Sequence, residues 1–400
     1  MDLSRLFSQR SANVRESVIR RVFEEGRAVQ DPIDFSIGQP DFAVPEPIKR
    51  AAIRAIEHDR NGYGPNRGVD PLLAKIAEHL KRDIGWDAAV RADPSRPQIV
   101  VTMGTSGALI CAAMALLDPG DEVIIPDPYF VLYPRLAELT GATAVTCDTY
   151  PDFRMTAARV EPLITPRTKA VLIDSPSNPC GVVLTEAECR DLVDLCRRRG
   201  VLLISDEIYD EFTYPESRTA KRPRADARGD EACCPSPCRF PRAQECTLLV
   251  RGFGKTYGPT GWRLGYCVGP APLMDRMVRM QQHLYISAPT PLQYAAVEAF
   301  NVDMTALIDR FRARRDLVHG RLSQVTEVPM PGGAFYAFVR VPDRLKMTAS
   351  QFKDAARARK VLVVPGTAFS SRDTHFRLSY AVDDAKLARG LDILVELLRG

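Results

Sequence analysis

The sequence predicts an α/β protein: a mostly parallel central sheet with helices on both faces, joined to a smaller α+β domain. Three observations predict it. The chain has 400 residues, more than one ordinary core organises, so two domains are expected. From about residue 98, strand-like and helix-like segments alternate, the order that builds parallel sheets. The strand segments are continuous apolar runs, as in strands buried on both faces.

Taken in order, "QIVVTMG" reads as a short buried strand and "SGALICAAMALL" as an apolar helix. "DEVIIPDP" and "TKAVLIDSP" are strands. "TEAECRDLVDLCRRRG" is an amphipathic helix, opened by Thr185 with Glu188 three residues on and closed by Gly200. "VLLISDEIY", "CTLLVRGF" and "WRLGYCVG" continue the strands. The texture changes after about residue 290: a long helical region, Leu292 to Leu322, precedes the strands "GAFYAFV", "KVLVVPG" and "HFRLSYA" and a last helix, Asp384 to Leu398. The expected division is a large domain over 45–290 and a small one from 1–44 and 291–400. Residues 215–244, rich in Arg, Pro, Ala and Cys without a usable period, read as a surface loop inserted in the large domain.

Composition narrows the function. Hydrophobic residues make up 45% and charged residues 26%, as in globular proteins. A net charge of +4 is too small to argue for nucleic acid, and no run is apolar enough to span a bilayer. The stretch 1–30 is arginine-rich but broken by Glu16, Glu24 and Glu25, with no signal-peptide core; the expectation is a cytoplasmic protein. Six of ten cysteines sit singly in apolar or helical patterns and read as reduced core thiols. Cys233, Cys234, Cys238 and Cys246 cluster, but their spacing lacks the paired C-x-x-C of zinc sites, so no metal is expected.

Ligands of open parallel sheets bind beyond the carboxyl ends of the strands. Gly104, Thr105, Ser106 and Gly107 follow a strand and open a helix, a position suited to an anion and equally to an ordinary helix start. Asp206 closes an apolar strand, where a carboxylate needs a partner: a protonated ring nitrogen or a structural cation. Tyr209 follows three residues on. Lys255 lies just past another strand, near other cations: a nucleophilic amine of lowered pKa, or, as lysines far more often are, an ordinary surface lysine. Arg263 offers a planar fork for phosphate.

The ordered set "IGQPDF", "YGPNRG", "SPSNPCG", "SDEIYDEF", "GKTYGPTGWRLGY", "PGGAFYAF" and "FRLSYA" resembles the class I/II aminotransferases of pyridoxal-phosphate fold type I, over roughly residues 5 to 398. The resemblance implies that Lys255 carries pyridoxal 5′-phosphate as a Schiff base and moves the substrate proton. It implies that Asp206 pairs with the ring nitrogen, Tyr209 and Asn178 with the phenolate oxygen, and Arg263 with the phosphate, beside Gly104, Thr105 and Ser106. Phe130 would stack on the ring. Arg377 would bind the substrate carboxylate, with Asn178 and the backbone of Gly38. Tyr63 would reach the neighbour's phosphate, which implies a homodimer. The reaction implied is ping-pong transfer of an amino group between an L-amino acid and a 2-oxo acid.

The match has departures. Gly252 stands where the family often has Ser or Thr three residues before the lysine, leaving Arg251 or water to replace a phosphate donor. Arg67 is a candidate for a substrate's distal carboxylate, or an ordinary surface arginine. A lyase or synthase on the same fold, such as a C–S β-lyase, would share these motifs. A regulatory protein on this fold would carry a DNA-binding domain ahead of it, whereas the resemblance begins near residue 5.

Overall fold

The computed structural model describes residues 3–14, 16–224 and 229–400. In chain order its strands are β1 (Ile33–Asp34), β2 (Gln98–Thr102), β3 (Glu122–Asp127), β4 (Thr143–Asp148), β5 (Thr168–Asp174), β6 (Leu202–Asp206), β7 (Ala220–Pro223), β8 (Asp230–Cys233), β9 (Thr247–Gly252), β10 (Gly265–Gly269), β11 (Tyr336–Arg340), β12 (Val361–Leu362), β13 (Val364–Pro365) and β14 (His375–Ser379).

The central sheet has seven strands in the order β2-β10-β9-β6-β5-β3-β4. β10 is antiparallel to both neighbours, and the remaining pairs are parallel. Every residue of β2, β3 and β10 is buried, which is why these strands read as unbroken apolar runs. β4, at the edge, has one buried residue among exposed and half-buried ones and carries no such run; the sequence reading passes over it. Two apolar clusters cover the two faces of the sheet.

The helix Glu186–Arg199 has its capping box, with Thr185 and Glu188 bonded reciprocally, and ends at Gly200 with φ 67°. The long helical region expected from Leu292 to Leu322 consists of two helices, Thr290–Ala299 and Thr305–Leu322. Asp303 breaks it, because its Oδ1 accepts both the N–H of Thr305 (2.9 Å) and its hydroxyl (2.6 Å), a local bond that competes with the helix ladder. The first of these helices buries Ala295, Ala296 and Ala299 in the core of the large sheet. The expected boundary at 290 falls at the first residue of this helix, and the second core begins beyond it.

That second core surrounds a three-stranded sheet, β11-β14-β13, and the helix Asp384–Arg399. β1 joins it by pairing in parallel with β12. The helix Val18–Gly26 lies between the two bodies: Val18 and Ile19 pack against Phe153 and Cys180 on one side and Phe338 and Phe369 on the other.

The reading of 215–244 as a surface loop needs correction. β7 and β8 form an antiparallel hairpin within it, and Cys233, Cys234 and Cys238 are buried. A polar, aperiodic sequence can pack this way because Arg222 and Arg239 both reach the buried Asp83 on the helix Asp70–Ile84. Four residues of the segment, 225–228, lie outside the described residues.

Candidate active site

A cavity of about 300 Å³ opens at the carboxyl ends of the central strands. It is lined by Gly38, Gly104, Thr105, Ser106, Phe130, Asn178, Asp206, Tyr209, Lys255, Arg263 and Arg377. Eleven of the twelve residues singled out in the sequence thus converge on one site; the twelfth is Tyr63.

The cavity's anion-attracting end is built from backbone. The helix Gly104–Leu116 starts with no side-chain cap, so its first N–H groups and its dipole face the cavity. Gly104 has φ +66°, and a Cβ there would sit 2.8 Å from the Arg263 guanidinium; only glycine lets that arginine lie against the turn. Arg263 is itself held in the left-handed region, φ 53°, and donates to the Thr260 carbonyl at 2.9 Å. A Cβ on Gly252 would meet Ile208 Cδ1 at 2.8 Å, so a hydroxyl side chain at this position would require Ile208 to move.

Arg251 does not replace that hydroxyl. It points to the other face of β9 and is 2% exposed. There it pairs with Asp83 at 2.7 Å, Glu207 at 2.8 Å and Asp210 at 3.0 Å. Burial works against the Asp83 carboxylate, but Arg251, Arg239 and Arg222 outweigh it and hold its pKa well below the usual range. This ion network lies directly behind the strand ends that carry Asp206 and Lys255.

At the other end Arg377 is 1% exposed. It donates to Asn178 Oδ1 at 3.0 Å and to the Ser36 carbonyl at 2.7 Å. Its guanidinium carbon lies 4.6 Å from the ring centre of Tyr336 and 4.8 Å from that of Phe369. Its Nε has no partner, and among the described residues no carboxylate forms an ion pair with it. A buried cation left without an anion is costly, and this one faces a cavity.

Between the two ends, Asp206 accepts the Tyr133 hydroxyl at 3.0 Å and the Ile208 N–H at 3.3 Å. Burial pushes its pKa up to about 6, against the pull of Tyr133. Lys255 donates to the Gly38 carbonyl. Burial, with the charges of Arg377 and Arg263, lowers its pKa to about 8. Tyr209 shares a hydrogen bond of 2.9 Å with Tyr336.

The aminotransferase class I and II family matches residues 30–394. The chain belongs to that family. Among its relatives, a probable aspartate aminotransferase of Methanocaldococcus jannaschii is 32% identical, covering 98% of this chain and 100% of the relative. An aromatic-amino-acid aminotransferase 2 of Thermococcus litoralis is 32% identical over 98% of each. The solved aspartate aminotransferase of Thermus thermophilus with maleate matches with a TM-score of 0.87 and 31% identity, over 98% of this chain and 99% of that one. The protein is an aminotransferase, and these likenesses favour amino transfer over the lyase alternative.

In this aminotransferase Tyr63 stands apart from the cavity and is 88% exposed. Arg67, a candidate for the neighbour's site, forms an ion pair with Asp275 of its own chain. The clustered cysteines do not converge as metal ligands. Among the described residues the one converging group is His79, Asp210 and Glu211, and its two acids already face Arg251 and Arg222. The cavity is also lined by residues not singled out in the sequence, among them Ile19, Tyr133, Asp174 and Tyr336. Tyr336 lies within the quoted "PGGAFYAF" segment and Asp174 in a predicted strand end. Nothing in sequence spacing marks Tyr133 or Ile19, which reach the site from separate helices.

Proposed function

We propose that this aminotransferase moves an amino group between an L-amino acid and a 2-oxo acid, using pyridoxal 5′-phosphate held on Lys255. One observation carries the reading: a lowered-pKa lysine, a buried carboxylate, an uncapped helix start and an unpaired buried guanidinium share one cavity. The residues fit the cofactor part by part. The helix start, Thr105, Ser106 and Arg263 suit a phosphate. Asp206 suits a cationic ring nitrogen, Tyr209 and Asn178 a phenolate oxygen, and Phe130 a ring face. When bound, the cofactor supplies an aldehyde that captures amines and a ring that draws electrons from carbon.

The chain's own residues then bind, orient and move a proton. Arg377 takes the substrate α-carboxylate in its rigid fork, with Asn178 alongside. That fixes the substrate Cα near the Lys255 amine. With a pKa near 8, a useful share of that amine is neutral at neutral pH, as a base for the Cα proton must be. The same groups serve both half-reactions, which gives ping-pong kinetics. A homodimer in which Tyr63 meets the neighbour's phosphate is part of the proposal; the exposed Ile53 and Ile56, at 53% and 52%, support a covering partner. The ten unpaired cysteines support a reducing, cytoplasmic setting.

The test is a screen of amino acids added singly to the cofactor-loaded protein, followed by its absorbance, with Lys255→Ala as control. Transfer predicts a spectral change with release of the matching 2-oxo acid and none in the variant. Release of pyruvate and ammonia in place of the matching oxo acid would mean a lyase, and a spectrum in Lys255→Ala that responds to amino acid as wild type does would remove the lysine's role.

A further inference from the structure

Asp174 has no part in the chemistry above, yet it lines the same cavity. β5 and β6 run parallel, with Asp174 and Asp206 in register as their last residues. The two side chains therefore leave neighbouring strand ends on one face. Their environments differ. Asp206 receives the Tyr133 hydroxyl and a backbone N–H, and the positive charge of Lys255 favours its ionised form. Asp174 receives the backbone N–H of Asn178 at 2.9 Å and, more weakly, its own backbone N–H, but no side-chain donor among the hydrogen bonds of the described residues. No cation acts on it among the described residues. The titratable groups facing it are Asp206 from β6, Tyr133 from the helix Tyr133–Thr140, and Cys180 from the loop after β5. None of these supplies a positive charge.

Two buried carboxyl groups side by side do not readily both ionise; the one with more hydrogen-bond donors and a nearby cation keeps the charge and the other keeps the proton. We propose that Asp174 is a positioning residue that holds a proton while Asp206 ionises, so that the pair presents one negative charge to one ring cation. The inference deepens, and rests on, the cofactor reading above. Burial first, and then the Asp206 charge, push Asp174 up to about 8 against the Asn178 N–H, in line with this division. The arrangement also protects Lys255. A second negative charge in the cavity would draw its amine back toward the ordinary lysine range and leave less of it neutral as a base. Asp174 thus acts on the reaction through Asp206 and Lys255, without touching the substrate.

The test compares cofactor-loaded wild type with Asp174→Asn, an uncharged variant of the same shape. The infrared difference spectrum at neutral pH should show the carbonyl stretch of a protonated carboxylic acid in wild type and not in the variant, fading as the pH is raised. The cofactor's absorbance should titrate at lower pH in the variant, which cannot gain the second charge. No acid stretch in the difference spectrum, or equal titration midpoints, overturns the proposal. Asp174→Ser gives the same comparison if the asparagine variant does not fold. Cofactor content is measured separately on the same samples. A wild type that retains none defeats the cofactor reading, while the infrared band of the unloaded protein still decides whether Asp174 holds the proton.

Discussion

Replacing Arg251 with methionine tests whether the charge network behind the cavity holds the fold together. The side chain meets three carboxylates, on Asp83, Glu207 and Asp210. Removing one partner of a buried ion pair costs about 3–5 kcal/mol, because the other charge stays buried. The structure argues for the lower end. Asp83 keeps Arg239 at 2.6 Å and Arg222 at 3.1 Å. Glu207 keeps the hydroxyls of Ser205 at 2.8 Å and Ser236 at 2.6 Å. Asp210 loses the one cation paired with it among the described residues and is left uncompensated. The expected loss is about 3 kcal/mol, read from urea unfolding followed by circular dichroism. The pH dependence gives a second check. Burial already lifts Asp210 to about 7 in wild type against the pull of Arg251; in the variant it rises further, so the penalty is present above that higher pKa and relieved as pH falls through it. In wild type, Asp83 is held low, so its contribution persists until pH falls through that depressed value. The gap between the two proteins should therefore narrow as pH falls from about 9 toward neutral, the range above the wild-type Asp210 value of about 7. A variant within about 0.5 kcal/mol of wild type at neutral pH, the range of ordinary surface changes, would refute the reasoning.

Other consequences can be measured directly. Reductive alkylation of the cofactor-free protein should modify Lys255 with a midpoint near pH 8, against 10.5 for an ordinary lysine; peptide mapping across a pH series reads this. Arg377→Ala should raise the substrate KM by about 30-fold or more, from the 2 kcal/mol or more lost with a buried charged hydrogen-bonding partner, and steady-state kinetics with a neutral amino acid measures it. Gly104→Ala places a Cβ 2.8 Å from the Arg263 guanidinium at φ +66° and should weaken phosphate-dependent cofactor retention, as followed by equilibrium dialysis, while leaving Arg377-dependent carboxylate binding in place.

What the sequence made legible follows from what each residue must satisfy locally. The buried strands could be read because both their faces are apolar, and Asp206 and Lys255 because they stand at the ends of such runs. β4 escaped because an edge strand with exposed residues carries no continuous apolar signal. The split at Asp303 escaped because one side-chain bond to Thr305 decides it. The segment 215–244 was misread for a different reason. Its burial depends on arginines meeting Asp83, more than 130 residues away in sequence, and local composition does not encode such a partner.

The same distinction separates the two groups of site residues. Those visible in the sequence are the ones whose chemistry is unusual for their local setting: an aspartate at the end of an apolar strand, a lysine just past one, an arginine inside one. Those invisible in it act on the first group from elsewhere. Tyr133 biases Asp206 toward ionisation from a helix, and Tyr336 shields Arg377 from beneath. Arg251 braces the residues on either side of the Asp206 turn from the opposite face of the sheet. Each sets how strongly a visible residue holds its charge. A variant of Arg251 should therefore disturb folding before chemistry, whereas a variant of Tyr133 should leave stability nearly intact and shift the pH at which the site works. The Asp206 pKa of about 6 already includes the lowering pull of the Tyr133 hydroxyl. Tyr133→Phe removes that donor, so Asp206 should ionise at higher pH and the acid limb of the activity profile should move upward. An unmoved acid limb would separate Asp206 from the ionisation that governs turnover.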